Sequence, residues 1–261
     1  MMHMMHAHAH TPLPSPQPRH LTDAHAFPLL LDGAAARLAA GALHPSHVYT
    51  SADLRAVVAA ARLRGVRVVP ELDMPAHTAS WGLAAPELVV ACPRRVAEDA
   101  EGLEHGANRV ALHPLREVVY QMVSVLLAEL SAIFPDDFFH LGGDEVDAEC
   151  WLSDAEVKAW ATKAARLRPH LPWKAQLQAL FTGRVVTELA KHGKQPLLWD
   201  EALEMGALLP EAVAVDVWRD WLRAPSCPEG YCAEGELREQ ALRTGRSVVH
   251  SALAWCAPCS P

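Results

Sequence analysis

The sequence predicts an α/β fold, a parallel sheet whose strands are joined by helical crossovers in the manner of an α/β barrel. Three observations carry this. Segments of helical period alternate with short apolar runs, the pattern of parallel strands linked by helices. The run at 66–72 is β-branched and apolar on both faces, as a strand covered on both sides must be. Acid and indole side chains follow several of these runs, where an α/β barrel carries its active rim. The length, 261 residues, is that of one such domain, which typically takes ~250 residues.

Composition narrows the function. Apolar residues make up 51% and charged residues 21%, a globular balance. A formal net charge of −8 argues against nucleic acid and anionic membrane surfaces as partners. No apolar run approaches the ~20 residues of a membrane span. The opening MMHMMHAHAHTPLPSPQPR lacks the apolar core of a secretory signal peptide. His3, His6, His8 and His10 could take up a stray transition metal, but residues 1–18 read as a solvated, disordered tail outside the fold. Six cysteines do not make a disulfide scaffold at this size. Cys256 and Cys259 have redox or half-zinc spacing, with no second CxxC or histidine pair to complete a site. No metal is expected.

Taken in order, 20–28 (HLTDAHAFP) is a short extended piece that ends at Asp23, a carboxylate at the rim or in a turn. A Pro-punctuated loop follows at 41–50. Thr50 and Asp53 then form a capping box, and Leu54, Val57, Val58 and Ala61 repeat at helical spacing until Gly65. The strand at 66–72 leads into PELDMPAH, which brings together Glu71, Asp73 and His77. These three could hold a metal, but a carboxylate–imidazole relay fits their spacing better than any common zinc motif. Residues 86–106 read as loop. Pro114 opens a long helix with a stripe of Leu115, Val118, Val119, Met122, Leu126 and Leu130. The strand at 138–141 follows, then a capping box at Ser153 and Glu156 and two helices, the second over 173–192 and stopped by Gly193. Further strands are expected at 195–199, 213–218 and 247–251. The first two end in Trp199 and Trp218, each serving as core or as ligand wall.

The chemistry concentrates after the strand at 138–141. Gly142 and Gly143 free the backbone to bend, so the adjacent Asp144 and Glu145 can lean into one cavity. On a regular strand they would diverge. Burial and mutual repulsion would then raise one pKa and keep the other group ionised, as acid-assisted bond cleavage requires.

The string HLGGDEV with ECW beyond it resembles the catalytic strand end of the glycoside hydrolase family 20 β-N-acetylhexosaminidases. So do RGVRVVPELDMPAHTASWG at 64–82, with Ala76 for the usual glycine, and HLTDAHAFP, with His25 and Ala26 for the usual glutamine and serine. The resemblance implies hydrolysis of terminal non-reducing N-acetyl-β-D-hexosamine residues from glycans, with retention, through an oxazolinium intermediate. Most glycosidases flank the bond with two facing carboxyls, but in this family the substrate's own acetamido oxygen attacks. By the same resemblance Glu145 is the general acid and base, and Asp144 orients and steadies the acetamido group. His77, Glu71 and His140 would support them. Asp23, Trp199, Trp218, Glu201 and Trp255 would contact the sugar, and Cys92 would pair with Cys150. No cofactor is implied. The partner implied is an N-acetylhexosamine-terminated glycan, with a homodimer or association with a complete subunit as the assemblies to expect. The family's usual homes are lysosome, vacuole or outside the cell.

The resemblance departs at both ends. Nothing before His20 matches the family's arginine-bearing first strand, and after Trp255 the chain reads Cys256-Ala257-Pro258 where the family has Tyr-x-Asp. The expectation is an incomplete (β/α)8 TIM barrel over 19–255 that lacks its first and eighth strands, with the second partial and an irregular tail at 256–261. Two other readings stand beside the hydrolase: a catalytically impaired fragment that binds glycans or joins a complete subunit, and a carboxylate-dependent hydrolase of another substrate.

Overall fold

The computed structural model describes residues 38, 40–42, 48–90, 92, 110–219 and 236–251. The tails expected at 1–18 and 256–261, and the positions of Asp23 and Trp255, lie outside them. Seven α-helices are described: α1 (Ser51–Arg62), α2 (Ala79–Ala84), α3 (Glu117–Ile133), α4 (Ala148–Leu152), α5 (Ala155–Leu167), α6 (Trp173–Ala190) and α7 (Glu236–Arg243). They accompany strands β1 (Phe138–His140), β2 (Gln195–Trp199), β3 (Ala214–Val217) and β4 (Val248–His250). The strands form one parallel sheet in sequence order. His140 pairs with Leu197, Trp199 with Asp216, and Val217 with His250.

The expected strand at 66–72 is instead an extended segment with one parallel bridge, Glu71 to His140. It docks on β1 through Leu72 N to His140 O, His140 N to Pro70 O and Met74 N to Leu141 O. Pro70 and Pro75 have no N–H to give, so the ladder stays short.

Register explains the layering. Successive side chains alternate between faces. Phe139, Leu198, Val215 and Val217 pack against Leu126, Leu127 and Leu130 of α3 and Phe181, Val185 and Leu189 of α6. The alternate residues His140, Trp199 and Asp216 therefore turn to the opposite face, where the polar groups gather. Phe139 is fully buried. Phe139→Ala should cost about 3–5 kcal/mol in denaturant-induced unfolding, from lost burial plus the cavity left behind.

Three boundaries differ from the sequence reading. α3 starts at Glu117 rather than at Pro114, because Pro114 and Leu115 form a turn and Arg116 is extended. The cap of α5 is Asp154, which accepts from Glu156 N and Val157 N. Ser153 closes α4 instead, its hydroxyl donating to Cys150 O at 2.6 Å. A single-turn 3₁₀ helix, Pro86–Leu88, interrupts the expected loop. α1 carries the reciprocal capping box of Thr50 and Asp53.

Candidate active site

The site forms where β1 ends. Gly142 and Gly143 both have positive φ, 69° and 104°. A Cβ on Gly142 would lie 2.7 Å from Asp73 Cα, so the close approach of the two segments itself requires glycine there. Gly142 N donates to His140 Nδ1 at 3.0 Å, and Gly143 N to Asp73 Oδ1 at 3.3 Å. Gly142 O accepts from Trp199 N at 2.9 Å, which fixes the bend beside the end of β2.

The bend delivers Asp144 and Glu145 to one imidazole. His77 Nε2 lies 3.3 Å from Asp144 Oδ2, 3.5 Å from Glu145 Oε2 and 3.9 Å from Asp73 Oδ2. His77 and Glu145 are also the non-glycine residues with positive φ among those described, 57° and 47°. Backbone held in this sparsely populated region persists only when its surroundings impose it, and it clusters at functional sites. The two carboxyls differ in exposure. The Asp144 side chain is 14% exposed and that of Glu145 is 50% exposed.

Their neighbours separate by charge state. Burial, then the facing Asp144 charge, pushes the Asp73 carboxyl well above the usual range. Glu71 is likewise driven well up, by burial first and then by Asp73 and Asp144. Burial alone would raise Asp144 too. The hydrogen bond and charge of His77, with further hydrogen bonds from Asp73 and the backbone, outweigh burial and bring it below the ordinary value. An ionised Asp144 backed by neutral acids results.

Two indoles lie beside this group. Trp199 is tilted against His140 with centroids 4.3 Å apart, and it meets Trp218 edge to face at 6.3 Å. Glu71 Oε1 accepts from Trp199 Nε1 at 3.0 Å and lies 3.4 Å from His140 Nδ1. Glu201 Oε2 accepts from Trp218 Nε1 at 3.0 Å. The carboxyl groups of Glu71 and Glu201 therefore meet indole N–H groups, and Asp73 stands between Gly143 and His77.

The sequence reading passed over one network. After β2 the chain turns into a 3₁₀ segment, Asp200–Leu208, that presents Asp200 and Glu201. Asp200 accepts from Arg219 N at 3.0 Å and from Arg219 Nε at 2.6 Å, and the same Nε lies 3.4 Å from Glu201. On β3, Asp216 Oδ1 accepts from Ser251 Oγ at 2.7 Å. An acid followed by an arginine after a strand was the available signal, as WDE and WRD. Their meeting, however, depends on the pairing of β2 with β3.

Burial raises Glu201 to about 8, against the pull of Arg219, and raises Asp216 to about 6, against the Ser251 hydrogen bond. The folded chain thus keeps protons that the unfolded chain releases near pH 4, and stability falls as pH rises through this window. The melting temperature should drop on the order of 5 °C between pH 5 and pH 8. Thermal denaturation across that range checks it, with Glu201→Gln flattening the slope.

Cys92 and Cys150 are joined in a disulfide that ties α4 to the segment after Val90. Asp73, His77 and Asp144 have donor atoms within 4.8 Å of one another and could hold a cation, although the same atoms form the imidazole relay. His113, Asp154 and Glu156 also converge. There His113 Nδ1 accepts from Leu115 N at 3.3 Å, which leaves the ring proton on Nε2, 3.3 Å from Asp154. With its proton on the nitrogen that faces the carboxyls, that imidazole offers no lone pair to a cation there.

A parallel α/β sheet with an acid pair, an imidazole and indoles gathered at the strand ends defines the class: an α/β domain that carries its polar site on the C-terminal edge of the sheet. The profile of glycosyl hydrolase family 20, catalytic domain, matches residues 19–251, and the chain belongs to that family, whose catalytic domains are TIM barrels. Among similar proteins is the β-hexosaminidase subunit beta of Homo sapiens, 32% identical over 202 residues, with 77% of this chain and 34% of that protein covered. The same subunit of Sus scrofa is 31% identical over 201 residues, with 77% and 36% covered. A chitobiase structure from Flavobacterium johnsoniae aligns with TM-score 0.61 at 29% identity and covers 78% of this chain and 28% of that one. The chain spans about a third of the length of the curated relatives it matches.

Proposed function

We propose that this chain carries the acid pair of a β-N-acetylhexosaminidase, which removes terminal non-reducing N-acetyl-β-D-hexosamine residues from glycans with retention. In this reading the sheet belongs to a (β/α)8 barrel, with the extended segment at 70–74 as its third strand and β1 to β4 as its fourth to seventh.

One observation carries the reading. Asp144 and Glu145 are sequence neighbours that converge on one imidazole, and they do not face each other across a gap. Two facing carboxyls would be needed for an enzyme nucleophile or a base-activated water. Adjacent ones suit a reaction in which the substrate brings its own nucleophile. The acetamido oxygen attacks the anomeric carbon, the C–O bond to the leaving group breaks, and Glu145 supplies the proton to that oxygen. Intramolecular attack of this kind gains a large effective molarity. Asp144, kept ionised beside His77, accepts the acetamido N–H and offsets the positive charge that develops on the ring. Glu145 then takes a proton from water, which opens the oxazolinium with net retention. Trp199 and Trp218 would enclose the methyl group.

The test is hydrolysis of an aryl N-acetyl-β-D-glucosaminide beside the matching 2-hydroxyl glucoside. Cleavage of the first alone, blocked by N-acetylglucosamine-thiazoline, is the expected result. Equal cleavage of both without thiazoline inhibition would point to a different hydrolase.

A further inference from the structure

Each of the two indoles at the site has a buried carboxyl group behind it, and each contact is 3.0 Å from Nε1 to oxygen. The Trp218 case extends further. Its acceptor, Glu201, is 7% exposed and lies 3.4 Å from Arg219 Nε, and that guanidinium is fixed on Asp200, which is fully buried. A chain of contacts therefore runs Asp200, Arg219, Glu201, Trp218. It ties the end of β3 to the segment that follows β2.

We infer that Glu201 is a positioning residue which sets the plane of the Trp218 indole, and through it the length of acyl group the site admits. A tryptophan side chain turns about two torsions. Here the edge contact with Trp199 limits one side and the N–H bond to Glu201 fixes the far end. Without Glu201 the half-buried N–H would lose this acceptor, and the ring would be free to turn. A ring wall displaced by a fraction of an ångström changes how well one extra methylene fits, a difference worth 10–200-fold in a tight apolar pocket (order of magnitude). This assignment rests on the proposed hexosaminidase reading, which makes Trp218 a wall of the acetamido pocket.

The experiment follows the indole ¹⁵N–¹H signals of the full chain, with the Trp218 signal assigned by its loss in Trp218→Phe. In parallel it measures calorimetric affinities for N-acetylglucosamine-thiazoline and its propyl homologue. Glu201→Leu should shift the Trp218 signal while the signal of the core residue Trp151 stays in place as the marker of folding. It should also narrow the methyl-over-propyl preference about tenfold. Glu201→Gln, whose amide oxygen still accepts, should keep the Trp218 signal near its original position and retain most of the preference. An unmoved Trp218 signal in Glu201→Leu would overturn the positioning role outright. A shifted signal with the preference unchanged would overturn the link to acyl length. If the unaltered chain binds neither thiazoline, the hexosaminidase reading fails and the acyl-length assignment goes with it, and the indole signal still decides whether Glu201 holds Trp218.

Discussion

Glu145→Gln should abolish turnover of natural glycosides, with kcat down on the order of 10³-fold, while N-acetylglucosamine-thiazoline still binds. The amide keeps the volume of the acid and can still meet His77, which lies 3.5 Å from the present Glu145 Oε2. It cannot give a proton to the leaving oxygen. The loss should therefore follow the leaving group. An alkyl alcohol or sugar leaves poorly without protonation, whereas a dinitrophenolate needs none, so the variant should recover much of the original kcat/KM on the dinitrophenyl glycoside, while kcat stays low because opening of the oxazolinium still lacks its base. Uniform loss across leaving groups would mean that Glu145 has another role. The exposure of Glu145, half that of a free side chain, suits a group that must reach both leaving group and water in turn.

Asp144→Asn should cost about 10²–10³-fold in kcat, roughly 3–4 kcal/mol, with a much smaller change in KM. Asn can still accept the acetamido N–H in the ground state. What it lacks is the charge that gains strength only as the oxazolinium develops, so the loss falls on the transition state. His77 holds Asp144 below the usual carboxylate range, so the unaltered chain should keep this charge at mildly acid pH. Matched kinetics of the two variants on one substrate series check both halves of the assignment. A variant that lost affinity and kept kcat would reduce Asp144 to a binding group.

Much of this site could be read along the chain because it is local. HLGGDEV puts the bend and both acids within a few residues, and glycine is required at 142 for a reason any L side chain would reveal. β2 kept the bounds that its neighbours Gly193 and the WDE segment suggested. The cap of α5 slipped by one residue because Ser153 and Asp154 are both good caps. The choice between them was made by the preceding short helix α4, which takes the serine hydroxyl for Cys150 O. α4 itself has five residues, too few to show a period.

The contacts of Glu71 and Glu201 were less legible, since they depend on strand pairing. Glu71 and its indole partner Trp199 are 128 residues apart in sequence. Spacing marked Glu71 as part of a relay with Asp73 and His77. The parallel bridge to His140 instead turns Glu71 toward Trp199 and leaves Asp73 as the acid nearer His77. Arg219 follows a tryptophan, and only the pairing of β3 with β2 brings it onto Asp200.

Both variants presuppose that the substrate's acyl oxygen is the nucleophile and that the neighbouring acids serve it. Hydrolysis of aryl glucosaminides carrying acetyl, fluoroacetyl, difluoroacetyl and trifluoroacetyl groups tests this most directly. Each fluorine withdraws electron density from the attacking oxygen and leaves the leaving group untouched. The expected result is a fall in kcat/KM at every step of the series. Rates indifferent to fluorination would contradict it and would require a nucleophile supplied by the protein.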